Sequence, residues 1–253
     1  MLLTIDVGNT STSLGIFDKD KLIKKLCISS DRKNTTQDYE RVFSEIKSEF
    51  DVRDCILASV VDELTNIIKT SADKVFGINS LNITPDINTG NTLKMPYKAG
   101  MGADRIVNAY WASTNCKKPV IVVDMGTATT FDIINKNGEF IGGIIAAGIK
   151  MQLKALHEFT SKLPELEPEK SEYAMGTDTQ SAIMSGIIRG SAYAIDGLIK
   201  NCEEELGEKA TIVATGGFCE LISEYTERKF DSINPDLTLD GLRLLYELNQ
   251  VTV

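Results

Sequence analysis

One short segment occurs twice in this sequence, and the repetition constrains the fold more than any other feature of the chain. Residues 5–12 read IDVGNTST, and residues 123–130 read VDMGTATT. Each copy is an apolar strand that ends in Asp, followed by a Gly turn and a second, hydroxyl-rich strand. The copies align without a gap, so that Asp6 matches Asp124, Gly8 matches Gly126, and Thr12 matches Thr130. Such a repetition predicts two similar domains.

The two turns also carry a chemical signal. A strand–Asp–Gly turn exposes backbone N–H groups and a carboxylate at one edge of a sheet, where they suit a phosphate and its metal ion. Asp6 and Asp124 would alternatively stabilise their own tight turns. Because a chance turn need not recur with matching hydroxyl groups, the repetition favours a phosphoryl-transfer site between the two domains. The hydroxyl side chains that suit either phosphate binding or a plain β-strand are Thr10, Ser11, Thr127 and Thr129.

Length and composition set the remaining bounds. The chain has 253 residues, enough for one large domain or two of ordinary size. Its 36 acidic and 27 basic residues give a net charge of −9, with no basic block, so no nucleic-acid partner is expected. The five scattered cysteines form no CxxC pair, which favours buried thiols in a reducing cytoplasm over zinc or disulfides. We expect neither a signal peptide nor a membrane helix.

Periodicity predicts the same order of elements in both halves. The predicted strands are 2–7, 11–17, 22–28, 55–60 and 80–84, then 120–124, 129–134, 139–145 and 211–214. The predicted helices are 37–50, 63–76 and 103–114, then 148–157, 179–206 and 237–248. We place the domain boundary near residue 115, which gives an N-terminal domain of residues 1–115 and a C-terminal domain of residues 116–253.

A second group of chemistry-bearing residues opens the helix predicted at 103. Asp104 and Arg105 lie in its first turn, where the helix dipole favours Asp but not Arg. The planar guanidinium of Arg105 suits a substrate carboxylate, which would place a small hydroxy acid with its hydroxyl near Asp104. Helix capping by Asp104 and a surface salt bridge of Arg105 remain the alternatives.

Other candidates give weaker signals. Glycines at 142–148 and 216–217 precede helices and would let the backbone approach an anion or nucleotide closely. His157, the single histidine, has no partner motif and is expected to be an ordinary residue. Trp111, the single tryptophan, is expected in the core. Without a histidine-based arrangement, acid–base chemistry falls to the carboxylates.

Taken together, these segments resemble the type III pantothenate kinases of the acetate and sugar kinase/Hsp70/actin superfamily. The matching residues are 6–10, 102–105, 124–132, 142–143, 215–217 and 239–242. The resemblance implies an α/β fold of two duplicated ribonuclease H-like (actin-like ATPase) domains with a nucleotide cleft between them. It also implies ATP-dependent phosphorylation of pantothenate, the first step of coenzyme A synthesis, in a cytoplasmic homodimer. Mg²⁺ and a monovalent cation, K⁺ or NH₄⁺, are the implied ions.

The resemblance also implies roles for particular residues. Asp104 resembles the general base and Arg105 a carboxylate anchor, and Asp124 resembles the ligand of the monovalent cation. Asp6 would lie near Mg²⁺, and Thr179 would reach the pantothenate pocket from the partner subunit. The substrate loop would include Tyr97, Gly102 and Ala103. The ATP-binding turns would include Asp6, Gly8, Asn9, Thr10, Gly126 and Thr127, with Gly216 and Gly217 on the adenosine side.

The chain departs from the family pattern at two prolines. Ala147 and Asp62 stand where proline is expected, and this affects loop rigidity more than chemistry. One alternative is a non-catalytic relative that binds nucleotide or a pantothenate-like ligand and acts as a regulator. Retention of Asp6, Asp104, Arg105 and Asp124 argues against that alternative, because a binding protein needs no base. A kinase for another small hydroxy acid or a sugar is a third possibility, and Arg105 favours an anionic acceptor.

Overall fold

The computed structural model describes residues 1–96 and 100–250. It divides into two compact units with one five-stranded sheet each. The first unit comprises Met1–Thr114 together with the last helix, and the second comprises Asn115–Asp236. Among the helices of the described ranges, none is long and apolar enough to cross a membrane.

The sheet of the first unit mixes antiparallel and parallel strands. Strands β1 (Leu2–Val7), β2 (Ser11–Asp18) and β3 (Lys21–Ser29) form an antiparallel meander. Strands β4 (Asp54–Ser59) and β5 (Leu81–Asn82) then extend the sheet in parallel, giving the order β3-β2-β1-β4-β5. The helices are α1 (Thr36–Glu49), α2 (Asp62–Phe76) and α3 (Ala103–Asn115).

The second unit repeats this arrangement. Its strands are β6 (Val120–Met125), β7 (Ala128–Ile134), β8 (Phe140–Ala147), β9 (Thr211–Thr215) and β10 (Ser232–Ile233). Their order is β10-β9-β6-β7-β8, which is the order of the first sheet read from the other side. The helices are α4 (Ile149–Glu158), α5 (Thr179–Met184), α6 (Gly190–Leu206) and α7 (Cys219–Ser223). The predicted duplicated α/β fold is therefore confirmed.

The central strand of each sheet is covered on both faces. Leu3, Ile5 and Val7 of β1 are fully buried, and β6 is buried over Val120–Val123. Parallel pairing with helices on both faces produces such continuous apolar runs. The acidic residue near the end of each strand, Asp6 or Asp124, is only half-buried. Each buried strand thus delivers one carboxylate to the edge of its sheet.

The helix predicted over residues 179–206 is present, but it is not α-helical throughout. Between α5 and α6 the chain forms a π-helical turn, Ser185–Arg189. This turn makes tertiary contacts that periodicity does not report: Ser185 Oγ donates to the Ala174 carbonyl at 2.6 Å, and Arg189 Nη2 donates to the Ser171 carbonyl at 3.0 Å. A single π-helical turn inside an α-helix changes the direction of its side chains locally, which lets Ser185 and Arg189 reach these carbonyl groups.

The last helix, α8 (Leu237–Gln250), packs on β1, β2 and β4 of the first unit. The sequence-based division into 1–115 and 116–253 differs from the two units in this element. Leu237, Leu239, Leu242 and Leu245 form the buried face of α8, and Leu239 lies against Gly15 of β2. A sequence pattern reveals that such a face must be buried, but it does not reveal which sheet buries it.

The five cysteines differ in their surroundings. All are free thiols, and Cys55 and Cys219 are buried, as expected for small apolar side chains. Burial raises the pKa of Cys55 to about 12 and that of Cys219 to about 11, which keeps both thiols protonated. Cys27 is exposed on the edge strand β3, where the expectation of burial was wrong.

Candidate active site

The first repeated turn joins β1 to β2. Gly8 N donates to the Ser11 carbonyl at 3.0 Å, which leaves Asn9 and Thr10 exposed at the tip. A Cβ atom at Gly8 would lie 3.1 Å from the Ser11 carbonyl oxygen, so the turn is tight. Ser30, the residue after β3, donates its backbone N–H to the Thr10 carbonyl at 3.1 Å and so holds the tip of the turn in place. The two hydrogen bonds therefore hold the turn in one conformation in which Asn9 and Thr10 are exposed to solvent.

The second repeated turn, between β6 and β7, is one residue shorter than its counterpart. Gly126 N donates to the Ala128 carbonyl at 3.0 Å, with only Thr127 between them. Asp124 consequently pairs with Thr130, whereas Asp6 pairs with Ser13. Residues that match in the ungapped sequence alignment of the two segments therefore do not occupy equivalent positions after the turns.

This difference corrects the assignment of hydroxyl groups. Thr12 corresponds in space to Thr129, since Thr12 pairs with Val7 and Thr129 with Met125. Both threonines are buried, and the Oγ1 of Thr12 is 2.8 Å from the Oγ of Ser30. Thr129 is therefore part of the strand structure, as the alternative interpretation held, and Thr127 is the exposed hydroxyl residue of this turn.

Three chain segments of the second unit meet at Asp124. Gly216, directly after β9, has φ of 88°, and a Cβ atom there would lie 2.5 Å from Asp124 Oδ1. The N-cap residue of α4, Gly148, packs against the carbonyl oxygens of Gly126 and Thr127. Glycine is required at both positions because backbone approaches backbone. The structure thus brings Asp124, Gly126, Thr127 and Gly216 together.

Asp104 lies at the corresponding edge of the first unit, beside the end of β1. Val60, which follows β4, donates its N–H to the Val7 carbonyl at 3.1 Å. A Cβ atom at Gly102 would lie 3.4 Å from Val60 Cγ1 and 2.5 Å from Asp104 Oδ1. Gly102 therefore makes room for the carboxylate, and Val60 connects this region to the strand that carries Asp6.

Burial raises the pKa of Asp104 above the usual value for an aspartate. The backbone N–H of Arg105, which donates to Asp104 Oδ1 at 2.7 Å, and the Arg105 charge oppose this rise. The net direction is upward, so the carboxylate is a stronger proton acceptor than that of an ordinary aspartate.

A pocket of about 490 Å³ opens next to this carboxylate within the first unit. One wall is residues 100–103, which lead into Asp104, and another is the end of β4 with the start of α2. The polar side chains in its lining are those of Ser59, Asp62, Thr65, Asn82 and Thr84. Of these, the sequence pointed only to Asp62, as a departure from the family pattern and not as a site residue. Ser59 and Asn82 could have been found from their position, because β4 and β5 run parallel to β1 and end at the same edge of the sheet.

The remaining predicted residues have different surroundings. Arg105 is half-buried in the first turn of α3, after the buried Ala103. Thr179 is the exposed first residue of α5, and its neighbour Asp178 caps that helix by accepting from Ser181 N at 2.9 Å. Gly217 follows Gly216 with open space at its Cβ position. Tyr97 lies outside the described residues.

His157 and Trp111 lie where the sequence predicts, at the surface and in the core respectively. His157 is exposed, and its Nδ1 is 2.9 Å from the Leu163 carbonyl oxygen. Trp111 is buried in α3.

Within residues 1–96 and 100–250, no three His, Cys, Asp or Glu side chains are grouped to hold a metal ion. Asp6 and Asp124 each offer a single carboxylate at a strand end. Magnesium at a nucleotide is commonly bound by one or two carboxylates together with phosphate oxygens and water. Each of these residues, within its own unit, therefore fits an ion that binds together with a phosphorylated ligand.

Solved structures show the same fold. The activator of 2-hydroxyisocaproyl-CoA dehydratase from Clostridium difficile, with bound ADPNP, matches with a TM-score of 0.57 at 11% identity, over 100% of this chain and 97% of that chain. A ROK family glucokinase from Streptomyces griseus, in complex with glucose and AMPPNP, matches with a TM-score of 0.54 at 12% identity, over 96% and 98% of the chains. The fold belongs to the actin-like ATPase and ROK kinase class.

The sequence comparison is more specific. A model of the type III pantothenate kinase family matches residues 2–201. The type III pantothenate kinase of Dehalococcoides mccartyi is 38% identical over 255 residues, which cover 99% of this chain and 97% of that protein. This chain belongs to the type III pantothenate kinase family and is an enzyme.

We predict that alanine at Gly216 is more harmful than alanine at Gly207. Both glycines have positive φ, 88° and 72°, but only Gly216 has close neighbours, including Met125 N at 2.6 Å. Gly207→Ala should cost about 1–2 kcal/mol from the left-handed backbone alone. Gly216→Ala should cost more, because Asp124 and Met125 must move. Urea unfolding of both variants measures this difference, and equal losses would show that the Asp124 turn has room.

Proposed function

We propose that this chain transfers the γ-phosphoryl group of ATP to the hydroxyl of pantothenate, the first step of coenzyme A synthesis. Family membership supports the substrates. The observation that carries the proposal is the half-buried carboxylate of Asp104, which has a raised pKa and lies beside an open pocket. A regulator that only binds its ligand has no need of such a group.

Asp104 acts as the general base in this proposal. Its carboxylate accepts the hydroxyl proton while the hydroxyl oxygen forms a bond to the γ-phosphorus. The bond from that phosphorus to the bridging oxygen breaks, and ADP leaves with the electron pair. The proton is then released from Asp104 to solvent. Phosphoryl transfer depends mainly on positioning and charge neutralisation, to which a base adds about 10²–10⁴-fold.

The repeated turns bind phosphate in this proposal. Backbone N–H groups of Gly8, Asn9 and Thr10, and of Gly126 and Thr127, donate to phosphate oxygens. Asp6 would hold Mg²⁺ and Asp124 a monovalent cation, and these ions would offset the negative charge of the phosphates. We assign the adenosine side to Gly216 and Gly217, where the backbone leaves open space at Gly217.

The acceptor occupies the pocket beside Asp104. Gly102 and Ala103 form part of its wall, and Arg105 binds the pantothenate carboxylate through its planar guanidinium. The predicted contribution of Tyr97 stays a prediction.

The direct test of the reaction is coupled ADP release from ATP with pantothenate, in Na⁺ and then in K⁺ or NH₄⁺. We expect pantothenate-dependent turnover that is strong only with the larger cations, because the site at Asp124 selects for size. Turnover that is equal in all three salts would remove the monovalent-cation role of Asp124. Binding of ATP or pantothenate without turnover in any salt would favour the non-catalytic regulator.

Asp104→Asn should lower kcat by about 10²–10⁴-fold with little change in the KM for ATP. The free energy of unfolding should not fall, because asparagine removes the cost of burying a charge. Glu63→Gln, which changes an exposed carboxylate in the first turn of α2, is the matched control and should keep full activity. Near-normal turnover of Asp104→Asn would disprove its role as base.

The pH dependence of kcat is a second test of the same group. Only the deprotonated carboxylate accepts a proton, so kcat falls as pH falls through the pKa of Asp104. Because burial raises that pKa, the fall should be centred above the usual pKa of an aspartate side chain. A profile that stays flat down to the range of an ordinary aspartate would contradict this assignment.

Arg105→Lys should raise the KM for pantothenate by roughly 10–100-fold, because a point charge does not reproduce two parallel hydrogen bonds to a carboxylate. The kcat at saturation should change much less. Arg41→Lys on the exposed face of α1 is the control, since Arg41 forms only a surface pair with Asp38 at 3.6 Å. An unchanged KM in the Arg105 variant would place the carboxylate anchor elsewhere.

We also propose a homodimer in which Thr179 of one subunit completes the pantothenate pocket of the other. Thr179 is exposed, and large exposed apolar side chains of the second unit support a protein partner there. They include Ile145 (67% exposed), Tyr173 (63%) and Met175 (85%). A cytoplasmic location stays a prediction.

Subunit mixing tests the role of Thr179. Asp104→Asn and Thr179→Ala chains, each weakly active alone, should regain activity when mixed and allowed to exchange. In the hybrid dimer, one pocket would have both native side chains. No gain on mixing, or a fully active monomer in sedimentation velocity, would contradict the shared pocket.

A further inference from the structure

The start of α8 makes polar contact with α3, the helix that carries Asp104. Thr238 Oγ1 donates to Asn108 Oδ1 at 2.8 Å. Asn108 is only 1% exposed. A buried amide that receives a hydrogen bond from a neighbouring helix fixes the two helices in one mutual position.

A second contact lies one helical turn further along α3. Trp111 Nε1 donates to Asp240 Oδ2 at 2.6 Å. The other oxygen of Asp240 accepts from Arg243 Nε at 2.8 Å, and the Arg243 side chain is only 11% exposed. Asp240 is thus held between its own helix and α3, which fixes the direction of its contact with Trp111.

The third contact is steric. A Cβ atom at Gly241 would lie 2.7 Å from Val107 Cγ1 and 3.0 Å from the Val107 carbonyl oxygen. The backbone of α8 therefore approaches that of α3 as closely as glycine allows.

These contacts lie on one side of α3. Asn108 and Trp111 stand four and seven residues after Asp104, a spacing that places all three on the same face of a helix. Val107, three residues after Asp104, lies beside them. The contacts therefore control how the first turn of α3, and Asp104 with it, is rotated and placed against the pocket.

We propose that Thr238, Asp240 and Gly241, here called the α8 clamp, are positioning residues for Asp104. The inference rests on the proposed function, because it gives Asp104 the role of base. Four buried leucines already attach α8 to the first unit, so the polar contacts are not needed merely to hold the helix there. Their effect is orientation, and small displacements of a reacting group lower the rate steeply.

The test uses Thr238→Val, which keeps the shape of the side chain and removes its donor. We expect kcat to fall about tenfold, with the KM for ATP unchanged and the acid side of the pH–kcat profile displaced. Thr238→Ser should restore kcat, because it restores the hydroxyl. Thr114→Val is the matched control, since Thr114 lies on the same helix and bonds only within it, to the Tyr110 carbonyl at 2.9 Å.

A double-mutant cycle with Asp104→Asn separates positioning from general loss of structure. If Thr238 acts through Asp104, Thr238→Val should cause no further loss of kcat in the Asp104→Asn background. Equal losses in both backgrounds, or a wild-type kcat in Thr238→Val, would overturn the proposal. Should Thr238→Val fail to fold, Trp111→Phe removes the contact with Asp240 and takes its place in the cycle.

Failure of the proposed function is recognised separately. It would appear as wild-type turnover in Asp104→Asn alone, before any change in α8 is introduced. That result would overturn the base and its positioning together, whereas the outcomes of the cycle concern the α8 clamp only.

Discussion

Burial of the central strand on both faces is the constraint on which each unit of this protein depends. β1 and β6 hold apolar side chains almost throughout, so neither strand has a solvent-facing side for polar groups. Polar chemistry is therefore confined to the strand ends, where Asp6 and Asp124 stand. The parallel partners, β4 and β9, end at the same edges and bring Val60 and Gly216 to them. Packing thus decides where chemistry is possible.

The negative charge of Asp104 lowers the stability of the folded protein. Burial makes the ionised form unfavourable, and the N–H and charge of Arg105 compensate only in part. A raised pKa and a reduced stability at neutral pH are two consequences of the same desolvation. Asparagine at this position would be expected to make a more stable protein that lacks the proposed base. Under the proposed mechanism, this is the usual conflict between stability and activity at a reacting group.

The sequence predicted the order of elements, the duplication and the two edge carboxylates, because these depend on local pattern. It did not predict the one-residue difference in length between the two hairpin turns. The two segments align without a gap in sequence, but the strand pairing depends on the backbone geometry of each turn. The π-helical turn at Ser185–Arg189 makes contacts with residues 171–174. Those residues lie outside the helix, so the helical periodicity of the sequence does not report the contacts. Asn82 and Thr65 were missed because a pocket is formed by several elements at once.

The placement of α8 has a consequence for the order in which the protein folds. The second unit is continuous along the chain, whereas the first is interrupted by it and is completed only by α8. During synthesis the second unit can close while the first still exposes the apolar surface that α8 covers. Asp104 would then gain its final orientation late, after both sheets have formed. A nascent chain of this kind would need protection of its first sheet for longer than of its second.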